Sequence, residues 1–567
     1  MEPSSTLGLE AGARPLSPKQ QEAVEHGEGP LLIIAGAGTG KTLVITRRIA
    51  HLISTKKAKP HEILALTFTE KAAKEMEERV DQLVPYGYTG VTLSTFHAFG
   101  DRILREHGLR LGLTPDFRVL SRPEQVIFFR KHLFEFPLKA FRPLGNPTKH
   151  IEALLSLFSR AKDEDVSPEA YLSYADRRLT KALATPDDPT LLEEAAFEKE
   201  LAETYRQYQT LLMKEGCIDF GDQVFLALRL LRENPTVLKK VQSQFRYVLV
   251  DEFQDTNFAQ FQLVRLLSDG HHNITVVGDD DQSIYKFRGA AISNILGFGK
   301  MYHDAKRVVL TENYRSVQPV LDAAYRLIQQ NNPDRLEVQE KIDKRLIAQV
   351  EDPAPSLLDP PVVHLHFDTL SSEADAVARI IAEEHEAGRD FGDFAILVRA
   401  NADADSFLRA LNVRGVPYRF TGNRGLYSRP EVRLLIAFMR AVADFHDSSS
   451  LYYLATSELY RLPDETLARC NTLARRKNQS LYEIFKGIET GQGEVSLAPA
   501  ENAEAMATLQ KLLGDLQASL QRAREVDAGV VLYEFIRRSG LLEQYAERMT
   551  TAQEVKIQNV ARFFEEI

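Results

Sequence analysis

Short apolar runs alternate with helical patterns in two parts of the chain, residues 1–96 and 245–311. The runs are rich in Val, Ile and Leu, and they lie at 30–34, 62–68, 90–94, 247–250, 274–277 and 308–310. Runs of this kind are typical of parallel strands that helices cover on both faces. Because the strands alternate with helices, the pattern predicts an open α/β layer.

Two long stretches have the spacing of helices instead. Residues 97–244 show it at 123–134, 151–161 and 191–214, so we expect a helical insertion between two strands of one sheet. A second α/β pattern follows residue 311, with strand candidates at 362–367, 394–398 and 418–420 and a helix at 373–387. Residues 443–567 return to helical spacing, for example at 506–524 and 530–538.

A glycine-rich run directly follows the first predicted strand and precedes a predicted helix at 43–53. Its residues are Ala35, Gly36, Ala37, Gly38, Thr39, Gly40, Lys41 and Thr42. In this context glycines let backbone N–H groups turn toward phosphate oxygens, and the helix N-terminus adds a favourable dipole. The run therefore predicts a phosphate-binding loop, with Lys41 on the β and γ phosphates and Thr42 on Mg²⁺.

Acidic residues follow two more of the predicted strands. Asp251 and Glu252 come directly after the run at 247–250, and Gln282 lies in the loop after 274–277. The carboxyl ends of parallel strands form the edge where such folds bind ligands. We therefore expect Asp251 to hold Mg²⁺, Glu252 to orient and deprotonate the attacking water, and Gln282 to sense the γ phosphate.

Composition and charge narrow the class of protein further. The 567 residues are 44% hydrophobic, enough for roughly three or four folded units. The net charge of −10 argues against a broad basic face that coats nucleic acid, although a narrow binding groove stays open. The two cysteines, Cys217 and Cys470, lack metal-ligand spacing and suit a reducing compartment. The sequence has no apolar run near the ~20 residues that span a bilayer, and residues 1–15 lack a signal-peptide pattern.

The order of the motifs resembles the UvrD, Rep and PcrA group of superfamily 1 DNA helicases. The resemblance rests on residues 16–23 (LSPKQQEA), 35–42, 66–73, 94–99 (STFHAF), 251–257 (DEFQDTN), 278–290 (GDDDQSIYKFRGA), 312–316 (ENYRS) and 395–401. DEFQDTN and GDDDQSIYKFRGA are long and specific, and they follow a phosphate loop in family order. The resemblance covers nearly the whole chain.

The resemblance implies a fold and a division of the chain. It implies two RecA-like P-loop NTPase domains, the second incomplete, each carrying a helical insertion. The first motor domain would comprise residues 1–96 and 245–311, and its insertion residues 97–244. The second motor domain would begin at 312–442, and its insertion would be 443–567. In this family, ATP hydrolysis with Mg²⁺ drives 3′-to-5′ movement on DNA.

Further site residues come from the resemblance. It implies that Gln20 reads the adenine edge, that Tyr314 stacks on adenine, and that Arg315 stabilises charge at the γ phosphate. Grip on single strands needs aromatic faces and phosphate donors. The implied DNA contacts are Phe68, Phe96, His97, Tyr285, Phe287, Arg288, Arg399 and Asn401. The implied partners are single-stranded DNA, its junctions with duplex DNA and repair proteins, with no membrane, in a cytoplasmic, nucleoid-associated setting.

The sequence departs from the family pattern at several positions. Ala35 replaces the first glycine of the strict phosphate-loop motif, Glu70 stands where Asn is usual, and Phe287 stands where Trp is usual. Motifs V and VI find no match after Asn401, so we expect an N-terminal portion of a longer protein, able to bind nucleotide but not to couple it to unwinding.

Two alternatives to a DNA-repair or replication helicase stay open. One is the motor part of a RecB- or AddA-like helicase–nuclease, whose nuclease would lie beyond Ile567. The other is a translocase that strips proteins from single strands without unwinding. A phosphate-loop kinase would leave the other motifs unexplained.

Overall fold

The computed structural model describes residues 14–84, 90–185, 188–284, 292–350, 362–421, 426–491, 502–546 and 551–565. The chain divides into two compact units, and the boundary in the sequence falls between residues 363 and 364. The strands of the described residues all lie in the first unit. They are β1 (Leu31–Ala35), β2 (Ile63–Thr67), β3 (Thr92–Thr95), β4 (Arg118–Leu120), β5 (Cys217–Asp219), β6 (Tyr247–Val250), β7 (Ile274–Gly278), β8 (Lys306–Leu310), β9 (Glu312–Asn313) and β10 (Ile347–Ala348).

The helices of the first unit surround these strands and extend into the insertion. They are α1 (Pro18–Glu25), α2 (Lys41–Ser54), α3 (Glu70–Leu83), α4 (Phe96–His107), α5 (Arg122–Lys131), α6 (Ile151–Asp163), α7 (Pro168–Leu183), α8 (Pro189–Lys214), α9 (Asp222–Glu233), α10 (Pro235–Gln244), α11 (Phe258–Ser268), α12 (Ile292–Met301), α13 (Gln318–Ile328) and α14 (Leu336–Gln339).

A parallel sheet of six strands forms the centre of the first unit, in the order β3-β2-β6-β7-β1-β8. These strands match the six apolar runs of the sequence, so the α/β prediction is confirmed. β1, β2, β6 and β7 are buried along their whole length. Separate apolar clusters cover the two faces, which is why the strands carry continuous runs rather than alternating ones. The parallel order puts the carboxyl ends of β1, β6 and β7 at one edge.

The insertion between β3 and β6 is mainly helical, as its sequence predicts. Helices α5, α6 and α8 pack around a core of their own that includes Phe129, Phe158 and Tyr208. The parallel pair β4 and β5 was not predicted, because runs of three residues carry no readable period. Buried ion pairs connect α6 to the segment around β5: Lys162 Nζ lies 2.6 Å from Asp219 and 2.9 Å from Asp222.

Asp163, at the end of α6, joins the insertion to the loop after β6. Its Oδ1 accepts a hydrogen bond of 2.7 Å from Asn257 Nδ2. Burial raises the pKa of Asp163 to about 7. A raised carboxyl pKa means that the contribution of Asp163 to stability is fully present below about pH 4 and is lost as the pH rises through about 7.

The Asp163→Asn variant should therefore gain stability relative to the natural chain as the pH rises from 4 to 8. The new amide keeps the oxygen that Asn257 needs and carries no charge. After a discount for partial exposure we expect a gain of about 1 to 2 kcal/mol at pH 8. Denaturant unfolding across this pH range measures it. Asp81→Asn, at an exposed position of α3, is the control, and equal pH profiles for both variants would contradict the assignment.

The second unit is built from helices in the described residues. They are α15 (Leu370–Glu386), α16 (Ala404–Val413), α17 (Pro430–Ala443), α18 (Ser448–Thr456), α19 (Asp464–Lys477), α20 (Leu481–Glu489), α21 (Asn502–Arg522), α22 (Ala528–Ser539), α23 (Leu541–Ala546) and α24 (Thr551–Glu565). One apolar cluster joins α17 to α24, with Phe438 and Phe535 stacked at its centre. No helix among the described residues of the chain is long and apolar enough to cross a membrane.

The three strands predicted at 362–367, 394–398 and 418–420 are wrong for this structure. Each of these segments lies in the described residues, and none pairs with a neighbouring strand there. Apolar composition suits a strand, but only a ladder of hydrogen bonds to another backbone makes one. Two apolar side chains of these segments are therefore left exposed: Leu397 is 93% exposed and Val362 is 51% exposed.

Candidate nucleotide-binding site

The glycine-rich loop connects β1 to α2, as predicted. Gly38 and Gly40 have φ of 78° and 88°, a left-handed conformation that side chains disfavour. A Cβ on Gly38 would lie 2.7 Å from both Arg315 Cβ and Asn313 Nδ2, so this position has no room for one. The loop ends at the first turn of α2, where Lys41 and Thr42 begin the helix and free N–H groups favour anions.

Neighbouring segments hold the loop in place through its carbonyl groups. Gln20 Nε2 donates to Thr39 O at 2.8 Å, and Asn313 Nδ2 donates to Ala37 O at 2.6 Å. The backbone N–H of Tyr314 donates to Gly38 O at 3.0 Å. The buried Gln20 also accepts from Ser17 N at 2.9 Å. Its two hydrogen bonds support the loop and the start of α1, and its contact with adenine stays a prediction.

Lys41 lies at the centre of the predicted catalytic residues. Its Nζ donates to Glu252 Oε2 at 2.7 Å and to Gln282 Oε1 at 3.1 Å. These three residues come from α2 and from the loops after β6 and β7, about 240 positions apart in the chain at most. The parallel sheet thus brings a cation, a carboxylate and an amide to one point beside the loop.

The carboxylates after β6 differ in their surroundings. Asp251 is buried, and burial followed by the nearby charge of Glu252 raises its pKa to about 7. Glu252 is partly exposed and has a left-handed φ of 48°. For a residue with a side chain this conformation costs roughly 1–3 kcal/mol and is concentrated at functional sites. The turn points the Glu252 carboxylate toward Lys41.

Two residues of the site were missed from the sequence, Gln254 and Asn313. Gln254 is 1% exposed; its Nε2 donates to Glu252 Oε2 at 2.8 Å, and its Oε1 accepts from Asp279 N at 3.0 Å. Asn313 accepts from Arg315 N at 2.9 Å and from Ser316 N at 2.8 Å while it holds Ala37. Both lie inside recognised motifs, so the amide side chain within each motif was the signal that the sequence offered.

Tyr314 and Arg315 follow β9 at the edge of the phosphate loop. The guanidinium of Arg14 stacks over the Tyr314 ring, and the Tyr314 hydroxyl donates to Glu312. Arg315 is exposed, and its Cβ lies against the Gly38 turn. The structure thus brings both residues to the loop, as expected from their motif.

The residues predicted to contact DNA differ in how far the structure exposes them. Phe96 is 2% exposed and packs in the core beneath the sheet, so its predicted contact with DNA is wrong: its ring has no face open to a base. Phe68 is partly buried at the end of β2. Arg399 and Asn401 are exposed in the second unit. Tyr285, Phe287 and Arg288 lie outside the described residues.

His97 is stacked on a ring that the sequence did not single out. Its imidazole lies 3.8 Å from the Phe220 ring, nearly parallel to it, and burial lowers the pKa of His97 to about 4. His97 is therefore neutral near pH 7. Phe220 is 56% exposed, which is unusual for a phenylalanine held in an aromatic stack.

Residues suited to Mg²⁺ are present at the same edge. Mg²⁺ prefers oxygen ligands, and the Thr42 hydroxyl and the Asp251 carboxylate supply them. Asp251 is buried, and burial disfavours the charged form of its carboxylate, so a bound cation would stabilise that form. The donor set therefore fits a magnesium ion held between Thr42 and Asp251.

Comparison with known proteins decides the family. The UvrD/REP helicase N-terminal domain matches residues 16–303, and the UvrD-like helicase C-terminal domain matches residues 308–567. The chain belongs to the UvrD/Rep helicase family. The resemblance inferred from the motifs is thereby confirmed, as are the RecA-like P-loop fold and its use of ATP.

Among similar proteins of the UvrD/Rep family are three named ATP-dependent DNA helicase PcrA. The one from Leuconostoc citreum is 32% identical over 560 residues, which is 98% of this chain and 69% of that protein. The one from Bacillus subtilis is 35% identical over 477 residues, 84% of this chain and 59% of that protein. The one from Staphylococcus aureus strain COL is 30% identical over 549 residues, 97% and 69% of the two chains.

Proposed function

We propose that this chain is an ATP-dependent DNA helicase that moves 3′ to 5′ along single-stranded DNA and acts in DNA repair or replication. Because the UvrD-like helicase C-terminal domain matches residues 308–567, the proposal includes coupling of ATP hydrolysis to DNA, which the motif pattern alone did not predict. The observation that carries the proposal is the cluster of Lys41, Glu252 and Gln282 beside the phosphate loop. Membership of the UvrD/Rep family and the similar proteins named ATP-dependent DNA helicase support it. Formally, the enzyme would be an ATP hydrolase that performs an isomerase-class reaction on DNA.

Lys41 and Glu252 would carry the chemistry at the phosphates. Lys41 would bind the β and γ phosphates, because its compact ammonium lies in the first turn of α2, next to the backbone N–H groups of the phosphate loop. Phosphate oxygens would then compete with Glu252 for the Lys41 ammonium. A Glu252 carboxylate released from that ion pair can accept a proton from the attacking water. Gln254, bonded to the same carboxylate oxygen, would keep it oriented.

The remaining nucleotide contacts would come from three sides. Thr42 and Asp251 would hold Mg²⁺, which would supply positive charge against the phosphates. The backbone N–H groups of Ala35, Gly36, Ala37, Gly38, Thr39 and Gly40 would line the phosphates. Arg315 would stabilise charge that develops on the γ phosphate, and Tyr314 would stack on adenine, whose edge Gln20 would read.

Single-stranded DNA would contact aromatic rings and donors on both units. Phe68, His97 and Phe220 would offer faces on the first unit, together with Tyr285, Phe287 and Arg288 from the sequence motif. Arg399 and Asn401 would serve the second. We propose that the first motor domain comprises residues 1–96 and 245–311, with an insertion at 97–244. The second motor domain would begin at 312–442, with an insertion at 443–567. Junctions with duplex DNA and repair proteins would be partners near the nucleoid.

A polarity experiment tests this function. Streptavidin bound to one end of a biotinylated single strand reports arrival of a translocating motor. Movement from 3′ to 5′ predicts ATP-dependent displacement from the 5′ end and little from the 3′ end. The reverse preference, or none, would contradict the proposal. Displacement of streptavidin without separation of a partial duplex would favour a protein-stripping translocase instead.

The exposed ring of Phe220 gives a sharper test of the DNA path. Phe220→Ala should weaken binding of an oligothymidine by ~1–3 kcal/mol, the value of one stacked base. Fluorescence anisotropy with a labelled strand measures the affinity. Phe134→Ala is the matched control, because Phe134 is an exposed ring of the same insertion, whereas the ring stacked on His97 is Phe220. Equal losses of affinity in both variants would remove Phe220 from the path.

A further inference from the structure

Lys344 is bound by three consecutive carboxylates of the loop after β7. Its Nζ lies 2.6 Å from Asp279 Oδ1, 2.5 Å from Asp280 Oδ1 and 2.8 Å from Asp281 Oδ2. The lysine side chain is 5% exposed. Burial alone would lower the pKa of Lys344, but the three negative charges raise it above its ordinary value. The ammonium therefore stays charged where three acids would otherwise repel one another.

The segment that carries Lys344 grips the same loop at two further points. Arg335 makes a bidentate pair with Asp281, both bonds 2.7 Å long, and Leu336 N donates to Asp280 Oδ2 at 2.7 Å. The loop is thus held by residues 335–344, which lie more than fifty positions further along the chain. Although the three carboxylates are close enough to hold a metal ion, Lys344 already supplies the cation.

Asp279 connects this cluster to the nucleotide site through its second oxygen. Oδ1 of Asp279 binds Lys344, while Oδ2 accepts from Gln282 Nε2 at 2.8 Å. Because the Gln282 nitrogen faces Asp279, its Oε1 faces Lys41 Nζ at 3.1 Å. Four side chains thus form one chain of hydrogen bonds, Lys344–Asp279–Gln282–Lys41.

We propose that Lys344 is a positioning residue for ATP hydrolysis, acting through Asp279 to fix which way the Gln282 amide faces. The inference rests on the proposed function and deepens it by adding a residue whose ammonium is bonded to three carboxylates of the loop after β7. With Lys344 in place, Oδ1 of Asp279 accepts from Lys344 Nζ at 2.6 Å and from Asp281 N at 3.2 Å, and Oδ2 accepts from Gln282. Without it, only the longer bond from Asp281 N holds Oδ1, so the carboxylate can turn and the Gln282 amide loses the contact that selects its orientation.

Asp279→Asn tests the orientation with the least disturbance of packing. An asparagine has a single acceptor oxygen, which would stay with the Lys344 ammonium and the Asp281 N–H. The new NH₂ would then face the Gln282 nitrogen, and relief of that donor–donor contact would flip the Gln282 amide and place its NH₂ against Lys41. We expect kcat to fall about 10- to 100-fold while the KM for ATP rises by no more than a few-fold.

Lys344→Met tests the origin of the relay and should lower kcat in the same way. Each variant is also made with Gln282→Ala. If Gln282 transmits the effect, neither substitution lowers kcat further in that background. Multiplied losses in the double variants would overturn the proposal, because they would show a general structural role. Should Lys344→Met fail to fold, Asp279→Asn carries the same comparison.

The control is Lys162→Met, which removes another buried lysine bound to two carboxylates in the same unit. Its effect should multiply with that of Gln282→Ala. A second readout is the ratio of affinities for a non-hydrolysable ATP analogue and ADP, which each relay variant should reduce as Gln282→Ala does. If the natural chain shows no ATPase activity, that result contradicts only the proposed function, because the affinity ratio can still be measured without hydrolysis. If the affinity ratio is unchanged in the relay variants, the positioning role of Lys344 is overturned.

Discussion

The Glu252→Gln variant is expected to bind ATP and to hydrolyse it about 100-fold more slowly, or slower still, because an amide cannot accept the proton of the attacking water. Glutamine has the shape of glutamate, and Gln254 and Lys41 lie on the same oxygen of residue 252. The side chain is partly exposed, so the loss of its charge should leave the fold intact. Phosphate release at saturating ATP and single-stranded DNA measures the rate, and fluorescent-nucleotide titration measures binding.

Glu75→Gln is the control for this variant. Glu75 is an exposed residue of α3 that pairs with Arg79, and its replacement should leave the hydrolysis rate unchanged. Hydrolysis by Glu252→Gln within a few-fold of the natural rate would remove Glu252 as the base. Loss of nucleotide binding together with hydrolysis would instead assign it to binding.

Replacement of Lys41 by alanine should weaken nucleotide binding by about 10- to 100-fold. A hydrogen bond to a charged group contributes ~1.5–3 kcal/mol, and Lys41 is the ammonium that the loop and α2 present to the phosphates. Glu252 and Gln282 lose a partner but keep access to water, so we expect a folded protein. Titration with fluorescent ATP and ADP analogues gives the two affinities.

Lys19→Ala, at an exposed position of α1, controls for the loss of one positive charge. The difference between the variants should be larger for ATP than for ADP, since the γ phosphate adds charge next to Lys41. Unchanged affinity for both nucleotides in Lys41→Ala would contradict the placement of the phosphates. Unchanged affinity for ADP alone would restrict Lys41 to the γ phosphate.

The first unit could be predicted from the sequence because its central strands are buried on both faces. Their continuous apolar runs, the glycines of the phosphate loop and the acids at strand ends are local signals. The topology then brings Lys41, Glu252 and Gln282 together without any further information. The same logic failed in the second unit, where apolar segments at 394–398 and elsewhere find no backbone to pair with among the described residues.

Long-range polar contacts were beyond the sequence. Nothing local to Lys344 shows that it binds acids 63 to 65 positions earlier in the chain. Likewise, Phe96 and His97 are neighbours in one motif, yet the first turn of α4 directs Phe96 into the core and His97 toward Phe220. Which ring faces solvent depends on how a helix packs, and a short motif does not encode that.

The rate of ATP hydrolysis with and without single-stranded DNA tests the central claim most directly. A DNA-driven motor should hydrolyse ATP at least about ten-fold faster when a saturating oligothymidine is present, since Phe68, a proposed DNA contact, follows β2, which pairs with β6, the strand that precedes Glu252. The Glu252→Gln variant should show no such stimulation. Equal hydrolysis rates with and without DNA in the natural chain would contradict the account.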